Sequence, residues 1–271
     1  MKIKTAALFY NAAKEQSKRI RKNLAVRLKS AGIAYYEIDG NSAAAVKKGT
    51  DIIFCIGGDG TLLKAARMAG NTGLMGINGG SLGFLSAVEA AGDFRALLNS
   101  LKNGDFTESP RLMLDVRVIR GGKKIFAAKA LNECVIKADG ARAISLNIFY
   151  NSSALKTYFG DGIIISTPTG STAYNLAADG PVVYPAIGAF ILTAICPHTL
   201  TQRPLVLPTD KVLKAAPKTP CALNIDGQIH FPVAQGDEII IAKSTRRARI
   251  LYPKDYNFFD VLTAKLKWGS R

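Results

Sequence analysis

Asp59 stands among three glycines, in Gly57-Gly58-Asp59-Gly60-Thr61, where an apolar run ending at Ile56 meets a helix-forming stretch. Glycines there allow a tight turn and leave no Cβ between the backbone and a bound group. N–H groups at a helix start, together with the helix dipole, favour phosphate. A carboxylate would repel phosphate if that were the only guest. It makes sense if it holds a divalent metal or takes a proton from an attacking hydroxyl, help worth about 10²–10⁴ in rate. A turn residue or helix N-cap is the plainer alternative, since Asp and Gly are common in both places. The chain contains no G-x-x-x-x-G-K-[ST], which excludes an ordinary P-loop. It has no G-x-G-x-x-G after its first strand, which counts against a Rossmann dehydrogenase.

Three further segments carry polar groups within or beside apolar strands. GINGGSLGFLS, Gly76 to Ser86, follows an apolar run with a second glycine-rich turn. LNECVI sets Asn132 and Glu133 inside an apolar strand, where a polar pair either satisfies a neighbouring loop or faces a polar guest. GDGIIISTPTGSTAYNLAADGP, Gly160 to Pro181, places Asp161 between glycines. It then runs through a strand into Thr169, Gly170, Ser171, Thr172, Ala173 and Tyr174. That junction offers hydroxyls, backbone N–H groups and an aromatic ring, suited to adenine and ribose.

The elements that must position these groups follow from periodicity. IKTAALFY (3–10), IAYYEI (33–38), DIIFCI (51–56) and GLMGIN (73–78) read as strands. Between them, 12–32 spaces Ile20, Leu24, Val26 and Leu28 near helical intervals with Gly32 as a stop, and 61–70 and 93–104 read as further helices. Alternating strands and helices over about 100 residues imply a parallel sheet with right-handed crossovers. From about residue 110 the pattern becomes mostly β, with a hairpin expected at Gly121-Gly122 and one helix beginning near Thr169. The expected domains are an α/β domain over 1–108 and a β-rich domain over 109–252. The tail, 253–271, is too apolar at Phe258, Phe259, Val261 and Leu262 for a free end and is expected to pack back on the first domain.

At 271 residues and 48% hydrophobic, the chain can bury a substantial core. Its net charge of +16 fits either a plain basic surface or attraction of polyanions such as nucleotides and polyphosphate. The four cysteines, Cys55, Cys134, Cys196 and Cys221, are scattered, which argues against a zinc site or a disulfide framework and points to a reducing cytoplasm. The N-terminus reads as a first strand and not as a signal peptide, and no apolar stretch approaches the roughly 20 residues of a spanning helix. His198 and His230 read as ordinary loop or sheet residues, and Asp226 as a hairpin turn.

Taken together, GGDGT (57–61), GINGGSLGF (76–84), LNE (131–133), DGIIISTPTGSTAY (161–174) and RPLVLP (203–208) resemble the NAD kinase family over essentially the whole chain. GGDGT alone also resembles diacylglycerol and sphingosine kinases, which lack the STPTGSTAY stretch. The resemblance implies an α/β N-terminal domain with a parallel sheet and a β-rich C-terminal NAD-binding domain, the NAD kinase-like or diacylglycerol kinase-like fold. The implied reaction moves a phosphoryl group from ATP, or in some members polyphosphate, to the adenosine-ribose 2′-hydroxyl of NAD, with Mg²⁺ or another divalent cation. A cytoplasmic homodimer or homotetramer is implied, with no membrane and no nucleic-acid partner.

By motif, Asp59 is the implied base toward the 2′-hydroxyl, while Gly57, Gly58, Gly60 and Thr61 form the turn beside the donor phosphates. Phe84 lies where the family closes its pocket. Asn132 and Glu133 match positions that bind NAD near ribose and adenine, and Asp161 matches the carboxylate that meets the nicotinamide end. Thr169, Thr172, Ala173 and Tyr174 match the segment around the adenosine. No protein ligand of the metal is implied. Asp179 stands where the family commonly has a second glycine, and GFLSAVE, with Glu89 as its first acid, lacks the acidic residue often found soon after the glycine-rich loop. A lipid kinase sharing the GGDGT turn and a non-catalytic nucleotide-binding protein are the alternatives.

Overall fold

A computed structural model describes residues 3–42, 45–80, 83–86, 88–89, 94–140, 142–267 and 269. Ser81 and Leu82 of the glycine-rich segment, Ala87 just after it, and residues 268, 270 and 271 of the tail lie outside them. The chain forms two compact units, Met1–Pro110 with Ala248–Arg271, and Arg111–Arg247.

The chain enters the first unit through β1 (Thr5–Tyr10), α1 (Glu15–Ser30), β2 (Ala34–Asp39), β3 (Ile52–Ile56), α2 (Asp59–Met68), β4 (Gly73–Asn78), β5 (Val88–Glu89), α3 (Phe94–Asn103) and β6 (Phe106–Arg111). In α1, Ile20, Leu24 and Leu28 recur every four residues and are buried. Val26 falls off that stripe, half a turn away, and is 56% exposed. The helix ends in a Schellman turn: Ile33 N–H donates to the Leu28 carbonyl at 3.0 Å and Gly32 N–H to the Lys29 carbonyl at 3.1 Å, with Gly32 at φ 68°. Every residue of β3 and β4 is buried, as expected of central parallel strands.

The second unit holds β7 (Leu114–Arg120), β8 (Lys123–Ala130), β9 (Glu133–Lys137), β10 (Ile144–Tyr150), β11 (Ser153–Ser166), α4 (Tyr174–Ala177), β12 (Ala189–Pro197), β13 (Leu205–Pro208), β14 (Leu213–Pro217), β15 (Cys221–Ile225), β16 (Ile229–Val233) and β17 (Glu238–Lys243). Its antiparallel sheet runs β16-β15-β9-β11-β10-β14-β17-β7-β8, with β12 joining β11 to β13. Alternate residues of β7, β10 and β14 are buried, so one face is the core. The two end strands of that order meet: Phe126 of β8 stacks on Phe231 of β16 with ring centroids 4.4 Å apart. The sheet therefore curls into a barrel-like form around Val116, Val118, Ile136, Leu146, Ile163, Phe190 and Leu223. The expected hairpin at Gly121-Gly122 is present, with both residues at positive φ. The helix expected near Thr169 is much shorter, a single 3-10 turn over Thr169–Thr172 followed by the one turn of α4.

After β17 the chain adds β18 (Ala248–Pro253) to the first unit's sheet, where Ile250 pairs in parallel with Leu74, and closes with α5 (Phe258–Leu266). The first sheet is then ordered β2-β1-β3-β4-β18-β6 with β5 beside β4, and the pairings of β1–β2, β1–β3, β3–β4 and β4–β18 are parallel. Asn257 caps α5 by accepting the Phe259 N–H at 3.0 Å, and Val261 and Leu262 are buried while Phe259 stays exposed.

Candidate functional site

In the first unit the site begins where β3 stops. Gly57 takes φ 149°, and a Cβ on it would stand 2.4 Å from Thr61 Oγ1, so only glycine fits. Its N–H donates to the Ile77 carbonyl at 2.9 Å, tying the end of β3 to β4. Gly58 caps α2, and Asp59 is the first helical residue. The Asp59 side chain accepts the Phe84 N–H on Oδ2 at 2.8 Å and the Leu85 N–H on Oδ1 at 3.1 Å, with Ser86 Oγ 3.5 Å from Oδ1. The carboxylate is thus neither a turn former nor a cap. It is clamped by amides of the second glycine-rich turn. Two more glycines permit that approach: a Cβ on Gly83 would lie 2.1 Å from Asp59 Oδ1, and one on Gly76 would lie 2.8 Å from Ser86 Cα. A carboxylate offers about four lone-pair sites, so two amide bonds orient it and leave acceptor capacity for a hydroxyl. Asp59, Thr61 and Phe84 are half-buried, and Gly58 and Gly60 are exposed.

In the second unit Asn132 and Glu133 sit where the chain enters β9. The cause is a buried carboxylate 93 to 95 positions later in sequence: Asp226 accepts the N–H groups of Leu131 at 3.1 Å, Asn132 at 2.9 Å and Glu133 at 3.3 Å. Thr167 N–H donates to the Asn132 carbonyl at 2.8 Å, and Thr167 Oγ1 donates to the Leu131 carbonyl at 2.6 Å. Gly170 packs so closely that a Cβ on it would stand 2.3 Å from the Asn132 carbonyl oxygen. With the backbone satisfied in this way, Asn132 Oδ1, Glu133 Oε2 and Thr169 Oγ1 are buried without a hydrogen-bond partner. Buried polar atoms are seldom left so, and three in one cluster, drawn from two segments, point to a polar guest. Burial, and then the Asp226 charge, push the Glu133 carboxyl up to about 8.

Beyond this cluster the segment is braced from beneath. Buried Asn175 donates to the carbonyls of Ser171 at 3.0 Å and Pro181 at 3.1 Å and accepts the Thr193 hydroxyl at 2.6 Å. Thr172 and Ala173 are half-buried, and the Tyr174 ring is 42% exposed at the edge of a cavity of about 650 Å³ also lined by Asp179, Thr193, Cys196 and Arg203. Asp179 does take a glycine-like conformation, at φ 60°.

The structure groups Asn132, Glu133, Thr169 and Thr172 around the β9–β11 end. It does not bring Asp161 to them. In the β9–β11 ladder Ser166 pairs with Glu133 and Gly162 with Lys137, so Asp161 lies at the other end, roughly 17 Å along the strand. It is exposed there. His198 is exposed with its ring edge-on to Phe159, and His230 is exposed opposite Asn224 in the β15–β16 hairpin. Sequence reasoning passed over the amides of Phe84 and Leu85 and gave Asp226 only its turn role. That role is real, with φ 51°, yet the carboxylate is 5% exposed and points its bonds inward.

An α/β unit whose glycine turn presents a clamped carboxylate, and a β unit whose polar side chains stand unpartnered beside a hydroxyl-rich turn, fit a phosphotransferase class of protein. The ATP-NAD kinase N-terminal domain matches residues 6–106, and the ATP-NAD kinase C-terminal domain matches residues 131–252. The chain is 41% identical over 227 residues to an NAD kinase of Geotalea daltonii, covering 82% of this chain and 80% of that one. It is 37% identical to an NAD kinase of Citrifermentans bemidjiense over 267 residues, covering 96% and 91%. A crystal structure of an NAD kinase from Archaeoglobus fulgidus in complex with ATP matches with a TM-score of 0.79 at 25% identity, over 97% of this chain and 98% of the other. Yeast NADH kinase complexed with NADH shares the fold, with a TM-score of 0.88 at 20% identity over 100% and 89%. The chain belongs to the NAD kinase family, and the match to the C-terminal domain removes the lipid-kinase alternative.

Proposed function

We propose that this chain transfers a phosphoryl group to the adenosine-ribose 2′-hydroxyl of NAD, giving NADP, with Asp59 as the group that orients the hydroxyl and accepts its proton. The observation that carries this reading is the Asp59 carboxylate, held by the Phe84 and Leu85 amides and still able to accept another bond. A secondary hydroxyl is a poor nucleophile at neutral pH, and phosphoryl transfer depends on in-line placement more than on covalent help. An immobilised acceptor supplies that placement.

Asn132, Glu133, Thr169, Thr172, Ala173 and Tyr174 bind the dinucleotide in this reading, with Asp161 toward its nicotinamide end. The unpartnered Asn132 Oδ1, Glu133 Oε2 and Thr169 Oγ1 support it, since ribose hydroxyls and adenine would satisfy them. Gly57, Gly58, Gly60 and Thr61 form the donor-phosphate turn and Phe84 closes the pocket. ATP is the donor, with polyphosphate as a second candidate.

Mg²⁺ or another divalent cation neutralises charge on the donor oxygens when bound. Among the described residues no three His, Cys, Asp or Glu side chains come together as a metal cage. A cytoplasmic homodimer or homotetramer completes the reading. No helix among the described residues is long and apolar enough to cross a membrane. The test is to incubate purified protein with NAD, Mg²⁺ and either ATP or polyphosphate and to read NADP with a coupled dehydrogenase. NADP from either donor is the expected result, and no NADP with either donor would overturn the reading.

A further inference from the structure

We infer that Asp226 is a positioning residue of the dinucleotide site, which fixes the place of Glu133 and sets a negative charge beside its buried carboxyl; this rests on the NAD kinase reading above. The residue is the first turn position of the β15–β16 hairpin, yet its side chain reaches three consecutive N–H groups, of Leu131, Asn132 and Glu133, at 3.1, 2.9 and 3.3 Å. Its own N–H donates to the Glu133 carbonyl at 3.0 Å, so the two residues are bound in both directions. Three convergent amides form an anion nest, which stabilises the ionised carboxylate of Asp226.

Placing that anion there has a cost for its neighbour. Glu133 is also buried, and its Oε2 has no partner. The element on its other side, β11, presents Ser166, which carries no charge, and the adjoining Cys134 is a buried thiol held protonated by burial. Asp226 is therefore the charge that acts on Glu133. Two buried carboxylates so linked do not both ionise readily, and the amides choose Asp226 as the anion. Glu133 keeps its proton and becomes a hydrogen-bond donor as well as an acceptor. A side chain of that kind can give a bond to a ribose oxygen that a carboxylate would only receive.

The test compares the wild-type chain with Asp226→Asn and Glu133→Gln in steady-state kinetics with NAD across pH 6 to 9.5, with melting curves for each. Asp226→Asn keeps the shape and one acceptor oxygen but removes the charge. The expected result is a KM for NAD raised on the order of tenfold with kcat within roughly threefold. An alkaline loss of kcat/KM is expected near pH 8 in the wild type; it should move to lower pH in Asp226→Asn and vanish in Glu133→Gln. A KM and alkaline limb unchanged in a folded Asp226→Asn would reduce Asp226 to a hairpin residue. Where that variant does not fold, a ¹³C titration of the glutamate carboxyls in the wild-type chain decides: Glu133 protonated up to about pH 8 supports the inference, and ionisation in the ordinary carboxylate range overturns it. That titration needs no turnover, so a chain that makes no NADP fails the kinase reading without obscuring this one.

Discussion

The backbone N–H of Phe84 donates to Oδ2 of Asp59 at 2.8 Å across 25 positions of sequence. Two glycine-rich turns, one after β3 and one after β4, thus act as a single device: the first supplies the acid and the second holds it still. Parallel pairing of β3 with β4, in which Ile56 stands beside Ile77, brings the turns together at the carboxyl ends of the strands.

Asp59→Asn should leave dinucleotide binding close to that of the wild type while turnover falls about 10²–10⁴-fold. The amide side chain can still accept one of the two loop N–H groups, but its NH₂ faces the other as donor against donor. A loss of about 1–3 kcal/mol in stability should accompany the kinetic effect. Calorimetric titration with NAD and the coupled NADP assay, on one preparation, check both. Equal turnover in variant and wild type would remove Asp59 from the chemistry.

Gly83→Ala tests the clamp without touching the acid. The new methyl would lie 2.1 Å from Asp59 Oδ1 and 2.5 Å from Ser86 Oγ, so the carboxylate or the loop must move. A misplacement of about 1 Å can cost on the order of 10²-fold in rate. The variant should keep NAD affinity and lose kcat. A variant with wild-type kcat would show that the loop yields and the acid does not depend on it.

Asp179→Gly should be neutral or stabilising by up to about 1 kcal/mol, because the residue holds φ 60°, which costs an L side chain about 1–2 kcal/mol and glycine nothing, against glycine's greater unfolded-state entropy. Asp179→Val should destabilise, since a β-branched residue tolerates that region poorly. Thermal melts of the pair measure the difference. A drop in melting temperature for the glycine variant would mean that the aspartate side chain contributes something its exposed position does not reveal.

Glu133 makes stability depend on pH in a definite direction. Burial and the Asp226 charge raise its folded value to about 8, so between the ordinary carboxylate range and pH 8 the native state keeps a proton that the unfolded chain has released. Its contribution is therefore complete below that window, declines as pH rises through it and is flat above. Glu133→Gln should flatten this slope and be more stable than the wild type at pH 8.5 by on the order of 2 kcal/mol. Denaturant unfolding at pH 5.5, 7 and 8.5 gives the comparison, and parallel slopes in the two proteins would place the ionisation elsewhere.

Much of the fold was legible because it rests on local patterns. The boundaries of β4 are those of GLMGIN, and α1 follows the four-residue spacing of Ile20, Leu24 and Leu28. The misreadings have local causes as well. Val26 is apolar but off the stripe. The Thr169 segment carries the hydroxyls and glycine of a strand-to-helix turn, yet Gly180 and Pro181 end it after α4, and the buried Asn175 ties it down in place of a longer helix. Nothing within ARILYP says which sheet β18 joins, since an apolar strand pairs wherever an edge is open.

By itself the sequence determined the inventory: a carboxylate among glycines, a polar pair in an apolar strand, hydroxyls and a tyrosine after a second strand, and the motif order that marks the family. Side-chain types and short-range spacing contain that information, because turn chemistry and periodicity act over a few residues. Only the tertiary structure decided what each group faces. Asp59 meets amides 25 and 26 positions away, and Asp226 meets amides 93 to 95 positions away. Such meetings are set by strand order and by close approaches that a single Cβ would block, and both arise from packing the whole chain.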